Sequence, residues 1–122
     1  MLFAEDLILF SIGTYAQTQT VRFFSHRGGR QEYDENTISA FEASYKAGYR
    51  GYETDVRMTK DGQLVILHDS DLKRTTDMTG RVEEMNAADI RKATTKGGHK
   101  VMFLDELMAW LREKGDVTYV EF

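Results

Sequence analysis

The run GYETDVRMTKDGQLVILHD, residues 51–69, decides how the rest of the chain is read. Its opening, GYETDV at 51–56, has the form of a strand. RMTKDGQLVILHD then reads as a hairpin, with Asp61-Gly62 as the turn and LVIL as the return strand. Strand residues two apart point to the same side, so Glu53 and Asp55 aim two carboxylates at one place. Buried together without a partner they repel, and one would have to keep a proton. A divalent cation between them removes the conflict, and an all-oxygen donor set favours Ca²⁺ or Mg²⁺ over zinc. The competing account, which the E-x-D spacing taken alone favours, is two solvated carboxylates on an exposed strand face.

On the N-terminal side, VRFFS at 21–25 reads as a short buried strand that ends at His26. A helix is predicted from about Asn36 to Ala47, where Ile38, Phe41 and Tyr45 recur at helical spacing with Ala40, Ala43 and Ala47 between them. Asn36 or Thr37 can cap its start, and Gly48 can end it. On the C-terminal side the chain turns polar through SDLKRTTDMTGRVEEM, read as a long loop, with a short helix around AADIRKA. A stronger helix is expected over 104–114. Leu104, Leu107, Met108 and Leu111 form its apolar face, acidic residues fill its first turn and basic residues its last. VTYVEF, residues 117–122, reads as another buried strand. Strand, helix, strand, helix, strand is the rhythm of a parallel α/β sheet. Three such strands with an open edge make a poor domain alone, so the chain reads as the front part of something larger.

The chemistry collects at strand ends. Glu121 lies near the end of the last strand, as Glu53 and Asp55 do on theirs, and parallel α/β folds gather such residues on one face. It would complete a carboxylate triad. His26 closes the first strand and His68 the hairpin's return strand. Histidine gives and takes protons near neutral pH, as cleavage of an ester with a poor leaving group requires. Arg27 offers a planar fork for two phosphate oxygens, and Gly28 and Gly29 let the backbone approach closely. His99, in KGGHK, lacks such company and reads as solvated. One metal site, one guanidinium and two imidazoles describe a machine for a phosphate ester, best a diester.

The composition is compatible with that. Of 122 residues, 41% are hydrophobic and 30% charged, ordinary values for a globular protein. A net charge of −4 with no basic stripe argues against a nucleic-acid partner. There is no cysteine, hence no disulfide framework and no thiolate zinc site, and proline is also absent. No integral membrane segment is expected, since no run reaches the ~18 apolar residues a span needs. The first 17 residues, MLFAEDLILFSIGTYAQ, resemble a secretory signal with a cut after Ala16, although Glu5 and Asp6 stand where positive charge belongs. The alternative is a short helix or a frayed tail. Residues 1–19 are therefore set apart from a domain at 20–122. Cleavage would make the protein periplasmic or secreted, and its absence cytoplasmic.

HRGG (26–29), DENTISAF (34–41), YETDVRMTKDGQLVILHD (52–69), RTT (74–76) with Gly80 after it, and YVEF (119–122) together closely resemble the glycerophosphodiester phosphodiesterase family. The resemblance implies a (β/α)₈ TIM barrel with its site at the carboxyl ends of the strands. A full barrel needs ~250 residues, so the chain would be an N-terminal part ending near the third barrel strand. By position, His26 and His68 resemble the family's acid/base pair, Arg27 its phosphate-binding arginine, and Glu53, Asp55 and Glu121 its metal ligands. The family cleaves glycerophosphodiesters to glycerol 3-phosphate and an alcohol, typically with Ca²⁺ or Mg²⁺. Asp34 stands where the family usually has proline. A related phospholipase D releasing a cyclic phosphate, or an inactive phosphate-binding fragment, are the alternatives, and residues 1–122 alone are expected to be inactive.

Overall fold

The computed structural model describes the backbone of residues 2–11, 14–114 and 117–121 and the side chains of residues 23–114. Strand β1 (Leu2–Ser11) forms an antiparallel hairpin with β2 (Thr14–His26), so the signal-like apolar run lies in a strand rather than in a short helix. The strand expected at 21–25 is the end of this longer one. Helix α1 (Ile38–Lys46) follows, then β3 (Gly51–Met58), β4 (Leu64–Ile66), α2 (Ala87–Ile90), α3 (Leu104–Lys114) and β5 (Val117–Glu121).

Strand β3 organises the sheet. Phe24–His26 of β2 pair in parallel with Gly51–Glu53, and Val117–Glu121 of β5 pair in parallel with Gly51–Asp55. Both neighbours use residues 51–53, so they take opposite edges of β3 and saturate its backbone there. Strand β4 returns antiparallel against Val56–Met58, closing the expected hairpin through Asp61-Gly62, where Gly62 has φ +83°. Gly51 through Val56 are all buried. The six-residue run without alternation is the signature of a strand covered on both faces.

Helix α1 starts at Thr37, whose hydroxyl accepts from the Ala40 amide at 3.2 Å, and closes at Gly48 in the left-handed conformation. It buries Ala40, Phe41 and Ser44. Helix α3 buries Leu107, Trp110 and Leu111, whereas Met108 is exposed. The inward stripe thus runs 104, 107, 110/111, and Trp110 fills the place assigned to Met108 in the sequence. Its ring packs edge-on against Phe41 and Tyr52 at 5.9 and 5.2 Å between centroids, welding α1, β3 and α3 into one core.

The polar stretch after His68 is the long loop expected, but a packed one. Leu72, Val82, Ala87, Ile90, Ala93 and Val101 bury themselves with Val65, Leu67 and Phe103 in a second core. Short bridges (Asp71 to Arg81, Thr76 to Thr95, Thr94 to Lys100) and a 3₁₀ turn at Val82–Glu84 hold its backbone. Leu72 and Val82 are too widely spaced for either regular period, so the sequence pattern did not show them, whereas Ala87, Ile90 and Ala93 recur at the spacing of the expected short helix.

Candidate active site

The site begins where β2 stops. Past His26 the backbone turns left-handed through Arg27, Gly28 and Gly29, with φ of +52°, +73° and +96°. The glycines are there for space as well as φ. A Cβ on Gly28 would lie 3.0 Å from the Ala40 side chain, and one on Gly29 would lie 2.8 Å from the Tyr33 ring. The close fit seats the turn on α1, where the Ser44 hydroxyl donates to the Gly28 carbonyl at 2.8 Å and meets the Ser25 hydroxyl at 2.6 Å.

This turn delivers the amide of Arg27 to β3, where it donates to the Glu53 carbonyl at 2.9 Å and to Glu53 Oε2 at 3.1 Å. His26 Nε2 lies 3.6 Å from the same carboxylate oxygen. The Arg27 side chain is buried, with Nε 3.3 Å from Asp55 Oδ2 and Nη1 3.4 Å from Glu35 Oε1. Asn36, itself left-handed at φ +58°, donates from Nδ2 to Asp55 Oδ2 at 3.2 Å and accepts from the Thr54 hydroxyl at 2.9 Å. Glu53 and Asp55 are thus buried and adjacent to Arg27, not solvated on an open face. Burial, with help from Arg27 and Arg30, pushes the His26 imidazole below its usual range, against the opposing pull of Asp55. His26 also borders a cavity of about 260 Å³ lined in part by Arg30, Tyr33, Ser44 and Tyr49.

His68 stands two residues beyond β4, and more in contact with water. Arg57 fixes its backbone, donating from Nε and Nη2 to the His68 carbonyl at 2.9 and 2.6 Å. Its Nδ1 is 2.9 Å from Asp69 Oδ1. The Asp69 carboxyl is held well below the usual range, chiefly by hydrogen bonds from Arg74, so it is ionised and can only accept. The hydrogen between them therefore sits on His68 Nδ1, and Nε2 lies outside this contact. Arg74 also binds Glu35. Burial alone would raise the Glu35 carboxyl, but the hydrogen bonds and charge of Arg74, with Arg27 and Arg30, bring it below the ordinary value.

For a hard divalent cation the donor set is of the right chemistry. Glu53 and Asp55 are buried carboxylates on one strand, and Glu35 and Asp69, both bound by Arg74, lie close by. Among the described residues no cluster of three possible ligands occurs. The Glu121 side chain lies outside the described residues, while its backbone is in register with Asp55 across the parallel pair. His99 keeps the solvent contact expected of it, with a side chain 41% exposed, but it does not lack company. Its Nδ1 is 2.8 Å from Asp34 Oδ2, an oxygen that also accepts from the Thr95 hydroxyl, so Asp34 ties the 95–99 loop beside the site. Sequence reasoning also passed over Glu35, Asn36 and Arg74. All three sit inside the DENT and RTT runs, but nothing in spacing ties Glu35 to Arg74, 39 positions away.

Residues 26–121 match the Glycerophosphoryl diester phosphodiesterase family. The chain belongs to that family. It is 40% identical over 91 residues to human glycerophosphodiester phosphodiesterase 1, covering 73% of this chain and 28% of that one. A glycerophosphodiester phosphodiesterase structure from Agrobacterium tumefaciens superposes with a TM-score of 0.76 at 32% identity, over 83% of this chain and 47% of that one. An Oleispira antarctica phosphodiesterase solved with the product sn-glycerol-3-phosphate also has a TM-score of 0.76. At 24% identity, over 81% of this chain and 43% of that one, it speaks to the fold alone. The chain spans less than half the length of each. Its fold is the corresponding part of the (β/α)₈ barrel these relatives share, with β2, β3 and β5 as barrel strands.

Proposed function

We propose that the chain supplies the first part of the site of a metal-dependent glycerophosphodiesterase, which hydrolyses a glycerophosphodiester to glycerol 3-phosphate and an alcohol. Family membership supports the diester as substrate. The observation that carries the site assignment is the register of β3: His26 is paired with Glu53 and Glu121 with Asp55, at the carboxyl ends of three adjacent parallel strands.

In this reading Glu53 and Asp55, with Glu121, hold one Ca²⁺ or Mg²⁺ ion. Bound there, the cation supplies positive charge against the phosphoryl oxygens. Arg27 adds its guanidinium beside the same carboxylates, and its place between Asp55 and Glu35 fixes the plane of the fork. His26 and His68 divide the proton transfers between them, one taking a proton from the attacking hydroxyl and the other giving one to the departing alkoxide oxygen. Asp69 keeps the His68 Nδ1 hydrogen in place and stabilises the imidazolium when it forms.

The test compares residues 1–122 with the same chain extended to barrel length. Glycerophosphocholine turnover is expected from the extended chain alone, lost on exhaustive chelation and restored by Ca²⁺ or Mg²⁺. Full activity after chelation overturns the metal assignment, and metal-dependent turnover by the 122-residue chain overturns the requirement for the remaining barrel.

A further inference from the structure

The carboxylates beside the His68 imidazole and the Arg27 guanidinium are gripped by one side chain. Arg74 Nε donates to Asp69 Oδ2 at 2.8 Å, and Nη2 to Asp69 Oδ1 at 3.0 Å. The same Nη2 donates to Glu35 Oε1 at 2.6 Å, and Nη1 to Glu35 Oε2 at 3.1 Å. Each shared oxygen has a second partner. Asp69 Oδ1 holds His68 Nδ1 at 2.9 Å, and Glu35 Oε1 lies 3.4 Å from Arg27 Nη1. A continuous ionic chain thus runs from His68 through Asp69, Arg74 and Glu35 to Arg27, and on to Asp55.

We propose that Arg74 is a positioning residue, whose simultaneous hold on Asp69 and Glu35 fixes the His68 imidazole relative to the Arg27 guanidinium. The inference rests on the acid/base and phosphate-binding roles proposed above for His68 and Arg27. Only a planar fork with several fixed donors can serve both carboxylates at once, and a lysine ammonium in this place would have to choose. Glu35 and Asp69 come from separate loops, and no other side chain contacts both among the hydrogen bonds of the described residues. Without Arg74, Asp69 keeps His68 but loses its anchor, and Glu35 keeps only its longer contact with Arg27. Because Arg74 is nearly half exposed, the clamp adds only modestly to folding, and its main effect is on alignment.

The first readout is imidazole ¹⁵N NMR of His68 in the full chain, which does not depend on catalysis. Asp69→Asn defines the signal of an imidazole without its carboxylate. Arg74→Met and Arg74→Gln should move the His68 resonances towards that signal, with thermal melting unchanged within a few degrees. The second readout is kinetics in the chain extended to barrel length. Arg74→Met should lower kcat by ~10–100-fold, the usual cost of losing a group behind a functional one, while KM changes little. Arg74→Lys should recover little of the loss, and Arg74→Met with Asp69→Asn should cost scarcely more than the worse single change. His68 resonances that coincide with wild type in both neutral variants overturn the proposal, as does a loss that is additive or recovered by lysine. If the extended wild-type chain turns over no diester, the functional reading has failed, and the NMR comparison alone decides the clamp.

Discussion

Asn36 offers a measurement of how the carboxylate pair is held. It is buried, sits at φ +58°, and joins Thr54 to Asp55 through its amide. In Asn36→Ala the Thr54 hydroxyl, buried completely on β3, loses its acceptor and Asp55 Oδ2 loses a donor. Stranding a buried polar group costs about 1–3 kcal/mol, and two such groups are affected here, although Arg27 still neighbours Asp55. Placing alanine in the left-handed region adds roughly 1 kcal/mol, a cost asparagine largely escapes. The total is roughly 3–5 kcal/mol, and at about 4 °C per kcal/mol for a chain of this size the melting temperature should fall by ~12–20 °C. Asn36→Gly suffers the same side-chain loss without the backbone penalty, so it should melt ~4 °C above alanine. Urea and thermal unfolding followed by circular dichroism, in chelator, measure both. An alanine variant within about 1 kcal/mol of wild type would mean the amide bridge contributes less than an ordinary buried hydrogen bond, and one more stable than glycine would refute the left-handed backbone cost.

Two further outcomes are expected. His26→Ala and His68→Ala, made in the chain extended to barrel length, should each lower turnover by ~10²–10⁴-fold with the melting profile retained, and a variant near the wild-type rate would demote that histidine to a structural part. The depressed Asp69 carboxyl has a sign in acid. Its stabilising contribution is complete above the ordinary value of 3.8 and is lost as pH falls below it, so wild-type stability should drop more between pH 5 and 2.5 (values chosen as about one unit either side of 3.8) than that of Asp69→Asn, and parallel acid profiles in urea melts would contradict the Arg74 contact.

The barrel strands and the helices against them were legible because each satisfies a simple rule. GYETDV is continuous where a doubly covered strand must be, Ile38, Phe41 and Tyr45 keep helical spacing, and Asp61-Gly62 marks its own turn. The candidate site residues stood out because His26 ends β2, Glu121 ends β5, and Glu53 and Asp55 are two apart on β3. What spacing did not show is set by tertiary contact. Trp110 displaced Met108 from the inward face because α1 and β3 present Phe41 and Tyr52 to it. His99 found Asp34 because the glycine turn before it brings the loop within reach; a Cβ on Gly97 would lie 2.7 Å from the Asp34 carboxyl. Residues 70–85 looked like a loop because their few buried side chains follow neither period, and their order comes from bridges between distant segments.

The two halves of the site are built by different means, and the difference follows the work each is proposed to do. Glu53, Asp55 and Arg27 are fixed by backbone. Strand β3 is paired on both edges over Gly51–Glu53, and the Arg27 amide is locked to it by a left-handed turn that two glycines make room for. Charges gathered on such a frame need not reorganise when a phosphoryl group arrives, which is where electrostatic stabilisation gains most over water. His68 is held otherwise. Its side chain is 45% exposed against none for Glu53, and its alignment comes from Asp69, Arg57 and Arg74. An imidazole proposed to exchange protons with an alcohol and with water has to meet solvent, as His26 also does through a side chain 30% exposed. An ionic chain through Arg74 reconciles the two demands: it leaves His68 at the surface while tying its orientation to the buried arginine on the other side of the site.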